Sequence, residues 1–318
     1  MEMYTVKQEP EDFVVREISS VVPQNSGRYT YFLLRKRNYT TEAAIQRIAK
    51  QLRMPRRFFG FAGNKDKRAV SEQVCSVNGN MRNFELREIS VMVLGKGDEP
   101  VSLGELSGNR FEIIVRNIKE LPNKVNKVVN YFDSQRFGIS NNNQVVGRLI
   151  LKRDFKGVVE IIINDREEML MHLKLHPNDY VGTMRLLPLK VCRMYINAYQ
   201  SDIWNRAVKE YLEMKPKSEN SEFPIVGFGT ELSDPTIRGI VERLLAEDGI
   251  KQRDFIIREI PELSSEGSMR NIYAEISELS VGKLEEDELN KGKKKIRVKF
   301  TLGKGSYATI VIKEMFSA

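Results

Sequence analysis

Only two cysteines occur in 318 residues, Cys75 and Cys192, and they stand far apart without the paired spacing of a disulfide framework or a zinc site. Both read as reduced thiols. Histidine is as scarce: His172 and His176 stand four apart, on one face if that segment is helical. The zincin signature needs Glu directly after the first His, where this chain has Leu173, and no third ligand is in view. No Rossmann or P-loop glycine pattern calls for a nucleotide. No run approaches the roughly 18 apolar residues of a membrane span, and residues 1–10 are charged where a secretory signal is apolar. We therefore expect a cytoplasmic protein, most simply a monomer, with no membrane, no metal and no cofactor.

What is present is enough for two domains, with 41% hydrophobic residues to build their cores. The formal charge is +8, and its placement is uneven. Residues 35–68 hold eleven cations (Arg35, Lys36, Arg37, Arg47, Lys50, Arg53, Arg56, Arg57, Lys65, Lys67, Arg68) against Glu42 and Asp66, so the rest of the chain sums to −1. Such a concentration reads as a docking surface for a polyanion, because phosphate contacts supply most sequence-independent nucleic-acid affinity. A solvated basic face is the plainer alternative.

Periodicity gives an alternating α and β pattern. Phe13–Ile18 and Tyr29–Leu34 read as strands, as do Gln73–Val77, Ser90–Leu94 and Phe111–Ile118. Between them, Thr40 or Thr41 can cap a helix whose apolar residues Ala44, Ile45, Ile48, Ala49 and Leu52 share one face, with Arg47, Lys50 and Arg53 off it. A helix is expected over 123–136, and the stretch from Val145 to Leu212 turns mostly helical, with Trp204, Ala207 and Val208 as buried positions. Lys295–Leu302 and Tyr307–Phe316 alternate like two strands around a turn at Gly303–Ser306. If these complete the N-terminal sheet, the middle of the chain is an insertion. Residues 1–138 are net +7 and residues 139–274 net −1, which places the expected division at 138/139 and 274/275.

Gly63-Asn-Lys-Asp-Lys-Arg68 is the densest polar cluster between two strand-like segments. A carboxylate among cations stays ionised, as a nucleophile or base must. On the residues alone, however, Gly, Asn and Asp favour a surface turn. Phe111 likewise begins an apolar alternation with Ile113 and Val115 and reads as core; Asn109 reads as a turn residue and Lys7 as a solvated one.

The wider segment, Phe61-Ala-Gly-Asn-Lys-Asp-Lys-Arg-Ala-Val-Ser-Glu-Gln73, resembles the catalytic motif of the TruD family of tRNA pseudouridine synthases: Gly, any, Lys, Asp, two of any, Ala, any, Thr, any, Gln. Gly63, Lys65, Asp66, Ala69 and Gln73 match, and Ser71 stands for Thr with its hydroxyl retained. Four more segments are similar to that family in the same order. They are Pro10–Glu17 preceded by Lys7, Gly108-Asn-Arg-Phe111, Asn130-Tyr-Phe-Asp-Ser-Gln-Arg-Phe-Gly138, and Gly305-Ser-Tyr-Ala-Thr309, the last with Gly303 where Pro is common. Asn197–Asn205 is a weaker likeness to an archaeal-type helix, departing from it at Asp202 and Trp204.

The resemblance implies an α/β (α+β) architecture. A mixed, largely antiparallel sheet flanked by helices would form the catalytic core (1–138 with 275–318), and an inserted α/β TRUD domain (139–274) the far wall of an RNA cleft. It implies isomerisation of a tRNA uridine, at position 13 in the D-arm, with Asp66 as catalytic carboxylate and Lys7 paired to it. Phe111 would meet the target base and Asn109 would fix the geometry. Lys65, Gln73 and Arg136 would support the site. Arg47, Lys50, Arg53, Arg56, Arg57, Lys67 and Arg68 are the candidates for the RNA backbone. The reaction exchanges a C–N for a C–C glycosidic bond with no redox change and no group donor, so it asks for no cofactor. A non-catalytic RNA-binding protein or tRNA chaperone on the same fold would share the basic segment but has no need of Asp66. A metal-dependent nuclease would need clustered carboxylates, which the basic segments lack.

Overall fold

Burial alternates along the first strands, and that alternation decides which side chains can meet. β1 (Phe13–Ser19) turns Phe13 and Val15 inward and Arg16 outward. β2 (Tyr29–Arg37) buries Phe32, Leu34 and Lys36 on one face. Helix α1 (Thr41–Leu52) follows: the Thr40 side chain accepts the Ala43 N–H, and Arg53 ends the helix in a left-handed conformation. Its stripe of Ala44, Ile45, Ile48 and Ala49 is buried against Phe32, Phe59, Cys75 and Val77, at about 1.5–3 kcal/mol for each isoleucine. Then come β3 (Phe59–Phe61), β4 (Val70–Asn78), β5 (Phe84–Leu86), β6 (Ile89–Gly97), β7 (Leu106–Ile118) and β8 (Lys127–Val129). The computed structural model describes residues 4–164, 166–215 and 221–317; Met1 to Met3 of the charged N-terminal segment lie outside them.

The middle of the chain is a compact unit of its own, Val129–Tyr273. It contains α2 (Asn143–Leu151), α3 (Phe155–Ile162), α4 (Glu167–Leu175), α5 (Tyr180–Arg185), α6 (Leu189–Met214), β9 (Glu222–Ile225), α7 (Pro235–Glu247) and β10 (Ser268–Asn271). Trp204, Ala207 and Val208 of α6 are buried as expected, and the Trp204 indole donates to the Phe223 carbonyl at 3.2 Å. β9 and β10 form a two-stranded antiparallel ribbon.

The chain then returns as β11 (Tyr273–Val281), β12 (Glu285–Glu286), β13 (Lys294–Gly303) and α8 (Ala308–Met315). The other compact unit is therefore built from Met1–Val128 and Ala274–Ala318. Its main sheet has the order β5-β6-β2-β4-β1-β7-β13-β11-β8. β1 and β4 run parallel; the other strand pairs with a recorded register are antiparallel. Gly108 is needed where β7 meets β13, since a Cβ there would stand 2.3 Å from the Leu302 carbonyl oxygen.

Three expectations are corrected. Residues 123–136 are not a helix: Lys127–Val129 is a strand and Ser134–Phe137 a 3-10 turn. The spacing of Val125, Val128, Val129 and Phe132 fits a helix, but β-branched residues favour strand. Tyr307–Phe316 is not a strand but contains α8, whose buried Ala308, Val311, Ile312 and Met315 follow the helical interval. Asn109 is no turn residue either; β7 begins at Leu106.

Candidate active site

Four neighbouring strands of the sheet, β2, β4, β1 and β7, turn polar side chains toward the loop that joins β3 to β4. In register, Leu34 lies opposite Gln73, Lys36 opposite Ser71, and Glu17 opposite Asn109. Asp66 sits on that loop with 36% of its side chain exposed. Lys7 Nζ donates to Asp66 Oδ2 at 2.5 Å, although the two residues are 59 positions apart. The Lys7 ammonium also lies 4.1 Å from the centre of the Phe13 ring.

Lys7 has φ of +59°, a left-handed conformation that costs a non-glycine residue about 1 kcal/mol or more. Its neighbours hold it there. Thr5 and Arg116 exchange backbone hydrogen bonds at 2.8 Å, the Asp12 carboxylate accepts the Glu9 N–H, and Arg68 donates to the Gln8 carbonyl at 2.7 Å. Arg116 in turn ties the buried Asp12 and Asp287 together, with Nε and Nη1 each 2.9 Å from a carboxylate oxygen.

A layer of buried polar groups supports the loop. Lys65 Nζ reaches the fully buried Glu17 carboxylate at 2.9 Å and donates to Asn109 Oδ1 at 2.6 Å. The Thr41 hydroxyl accepts the Lys65 N–H and donates to Gln73 Oε1, both at 2.8 Å, while Gln73 Nε2 donates to the Gly63 carbonyl at 2.9 Å. Thr41, one of the two capping candidates, thus leaves capping to Thr40 and holds the loop. Lys36 donates to the carbonyls of Tyr39 at 2.6 Å and of Asp66 at 2.8 Å. Of these supports, Glu17, Lys36 and Thr41 were not singled out from the sequence as site residues. Their common signal is a polar residue at an inward position of a strand or at a helix start.

Phe111 is 6% exposed and packs in an aromatic row, its ring 6.1 Å from Phe13 and 5.5 Å from Phe300. It is a core residue, as its alternation with Ile113 and Val115 predicts. Arg136 lies in the middle unit, where Nε donates to the Ser201 hydroxyl at 3.1 Å and the guanidinium stands 5.5 Å from the Phe132 ring.

The basic segment divides into two groups. Lys36 and Lys65 are buried; Arg35 pairs with Glu72, and Arg37 with Glu11 and Glu88. Arg56 makes a forked pair with Glu42 at 2.8 and 2.6 Å and donates to the Phe59 carbonyl, so it is a structural group more than an open phosphate ligand. Arg68 is partly committed through Gln8. Arg47, Lys50, Arg53, Arg57 and Lys67 are exposed, and Arg47, Lys50 and Arg53 line an open depression of about 610 Å³ with Gln51 and Leu86. Arg47 is steadied by a 2.6 Å hydrogen bond to the Tyr39 hydroxyl.

Among the described residues no group of three or more His, Cys, Asp or Glu is placed to hold a metal ion. His172 pairs with Asp179 at 2.9 Å. No helix among them is long and apolar enough to cross a membrane.

The chain is similar to known proteins over nearly its whole length. The family model described as tRNA pseudouridine synthase D (TruD) matches residues 3–168, 164–222 and 213–315. The chain belongs to the TruD family. A Methanopyrus kandleri relative, described as a probable tRNA pseudouridine synthase D, is 30% identical over 93% of this chain and 88% of its own length. A Methanosarcina acetivorans relative of the same description is 28% identical over 97% and 91%. The crystal structure of a Methanosarcina mazei protein described as TruD superposes with a TM-score of 0.73, at 27% identity, covering 99% of this chain and 94% of that one. This TruD-family chain is thus an archaeal-type member with the mixed, largely antiparallel sheet of its relatives, and the family is one of isomerases.

Proposed function

We propose that this protein isomerises a uridine of tRNA to pseudouridine, at position 13 in the D-arm, with Asp66 as the catalytic carboxylate. The observation that carries the reading is the Lys7–Asp66 ion pair. A half-open carboxylate and a lysine held in a costly backbone conformation are brought together at 2.5 Å in a TruD-family chain. The reaction breaks the bond between uracil N1 and ribose C1′ and joins uracil C5 to C1′, the C5 proton passing to solvent and N1 taking up a proton in its place. Asp66 serves it as nucleophile or general base, acting on the ribose or the base. Lys7 holds the carboxylate in place, and Asn109 and Gln73 fix the loop through Lys65 and Gly63.

The target base must leave its stack to reach Asp66, and the edge of Phe111 is the aromatic surface nearest in role to receive it. Arg47, Lys50 and Arg53, with Arg57, Lys67 and Arg68, hold the RNA backbone, and Arg136 supports its own unit. The unit built from Met1–Val128 and Ala274–Ala318 is the catalytic core and Val129–Tyr273 the inserted TRUD domain, which begins before the 138/139 division expected from charge. The chain acts as a monomer in the cytoplasm, with neither metal nor cofactor.

Mapping pseudouridine in tRNA transcripts before and after incubation with the purified protein tests this directly. A new pseudouridine confined to position 13 is expected; conversion elsewhere would overturn the site, and no conversion in any tRNA would favour a non-catalytic RNA-binding role.

A further inference from the structure

Lys36 leaves β2 on the inner face and ends beneath the Asp66 loop with 1% of its surface exposed. Its ammonium donates to the Tyr39 carbonyl at 2.6 Å, to the Asp66 carbonyl at 2.8 Å, and weakly to the Lys65 carbonyl at 3.5 Å. An ammonium has three protons, and all three face main-chain oxygens. Burying a lysine whose hydrogen-bond partners are neutral carbonyls is expensive, and a methionine would fill similar space without that cost. What the charge contributes is a fixed main chain at two places at once, the turn before α1 and the residue that carries the carboxylate.

We propose that Lys36 is a positioning residue for the isomerisation, its protonated ammonium fixing the main chain of Asp66 so that the carboxylate is aimed at the nucleotide. This rests on Asp66 being the catalytic group. The groups facing Lys36 are Asp66 and Lys65 on the loop, Cys75 on β4 and the Tyr39 carbonyl in the turn. Burial pushes the ammonium down to about 8; Asp66 opposes that shift, Lys65 adds to it, and Cys75 opposes it more weakly. Activity should therefore fall as pH rises through that value.

The fold does not follow the same course. Because the folded value lies below the ordinary 10.5, the unfolded chain binds more protons between about 8 and 10.5, and the contribution of Lys36 to stability rises across that window. An alkaline loss of activity from Lys36 is then not a loss of fold.

The experiment measures single-turnover pseudouridine formation with saturating protein from pH 6 to 9.5, alongside tRNA Kd and far-ultraviolet circular dichroism, for the wild type, Lys36→Met, Lys36→Arg and Asp66→Asn. The wild-type rate is expected to fall roughly tenfold per pH unit above about 8, with Kd and fold unchanged. Lys36→Met should lose about 100-fold in rate while tRNA Kd changes less than about threefold. Lys36→Arg, whose cation does not titrate in this range, should lack the alkaline loss. A flat wild-type profile, an identical alkaline limb in Lys36→Arg, or a Lys36→Met rate within about threefold of wild type would overturn the proposal. If neither Lys36 variant folds, the wild-type profile decides alone. Wild-type activity in Asp66→Asn would instead sink the catalytic assignment on which this rests.

Discussion

Support of the Asp66 loop runs through a carboxylate whose side chain has no access to water. Glu17 neutralises Lys65, and Lys65 joins the Asp66 loop to Asn109 on β7. Taking one partner from a buried ion pair leaves the other charge uncompensated, at about 3–5 kcal/mol. Glu17→Gln should therefore lower unfolding free energy by about 3 kcal/mol in urea titration and reduce the rate on tRNA more than the affinity. A loss below about 1 kcal/mol would show that Lys65 does not depend on Glu17. Asp66 and its neighbours Lys65 and Gln73 were legible in sequence because they fall in one short pattern. Glu17, Thr41 and Lys36 were not, because the groups they hold on the loop and on β4 lie 24 to 57 positions away. Lys36 was further hidden by its neighbours, since a lysine in a basic run reads as solvated until the strand's alternation turns it inward.

Among the elements, the strand carrying Asn109 and Phe111 also anchors the N-terminal segment that bears Lys7. Arg116 of β7 is the anchor, and Arg116→Met would strand the Asp12 and Asp287 carboxylates inside the core. A destabilisation of about 3–5 kcal/mol is expected by denaturant unfolding, with a loss of rate as Lys7 loosens; an unchanged midpoint would contradict it. Burial would raise the Asp287 carboxyl, but the Asn117 N–H, the Asn290 amide, the Leu289 N–H and Arg116 together hold it below its usual range. A lowered carboxyl contributes stability that is fully present above about pH 4 and is lost as pH falls through the folded value, so wild type should weaken in acid over that window. Six of the thirteen strands among the described residues, β1, β2, β4, β6, β7 and β13, were readable from alternation, and α1 from its stripe and cap. Residues 123–136 and 307–316 resist such reading because short apolar runs satisfy both periods, and tertiary packing decides between them.

For the whole molecule, the count of charge overstates the surface that RNA can use. Several of the eleven cations are buried or paired within the fold, and Arg47, Lys50 and Arg53 gather around one open depression. Reversing Lys50 and Arg53 together to Glu should weaken tRNA binding and reduce the slope of log Kd against log salt by about 2, one for each phosphate left without its cation. Arg56→Glu should act differently, costing about 1 kcal/mol or less of stability through its half-exposed partner Glu42 with a smaller change of slope. An unchanged slope in the Lys50 and Arg53 variant would remove that depression from the RNA path.

The catalytic role proposed for Asp66 is measured directly by tritium release from tRNA carrying 5-tritiated uridine, because forming the new C5 bond expels the label. With Asp66→Asn, release should fall to background while tRNA binding stays within about threefold of wild type. Release at the wild-type rate from that variant would contradict a catalytic Asp66.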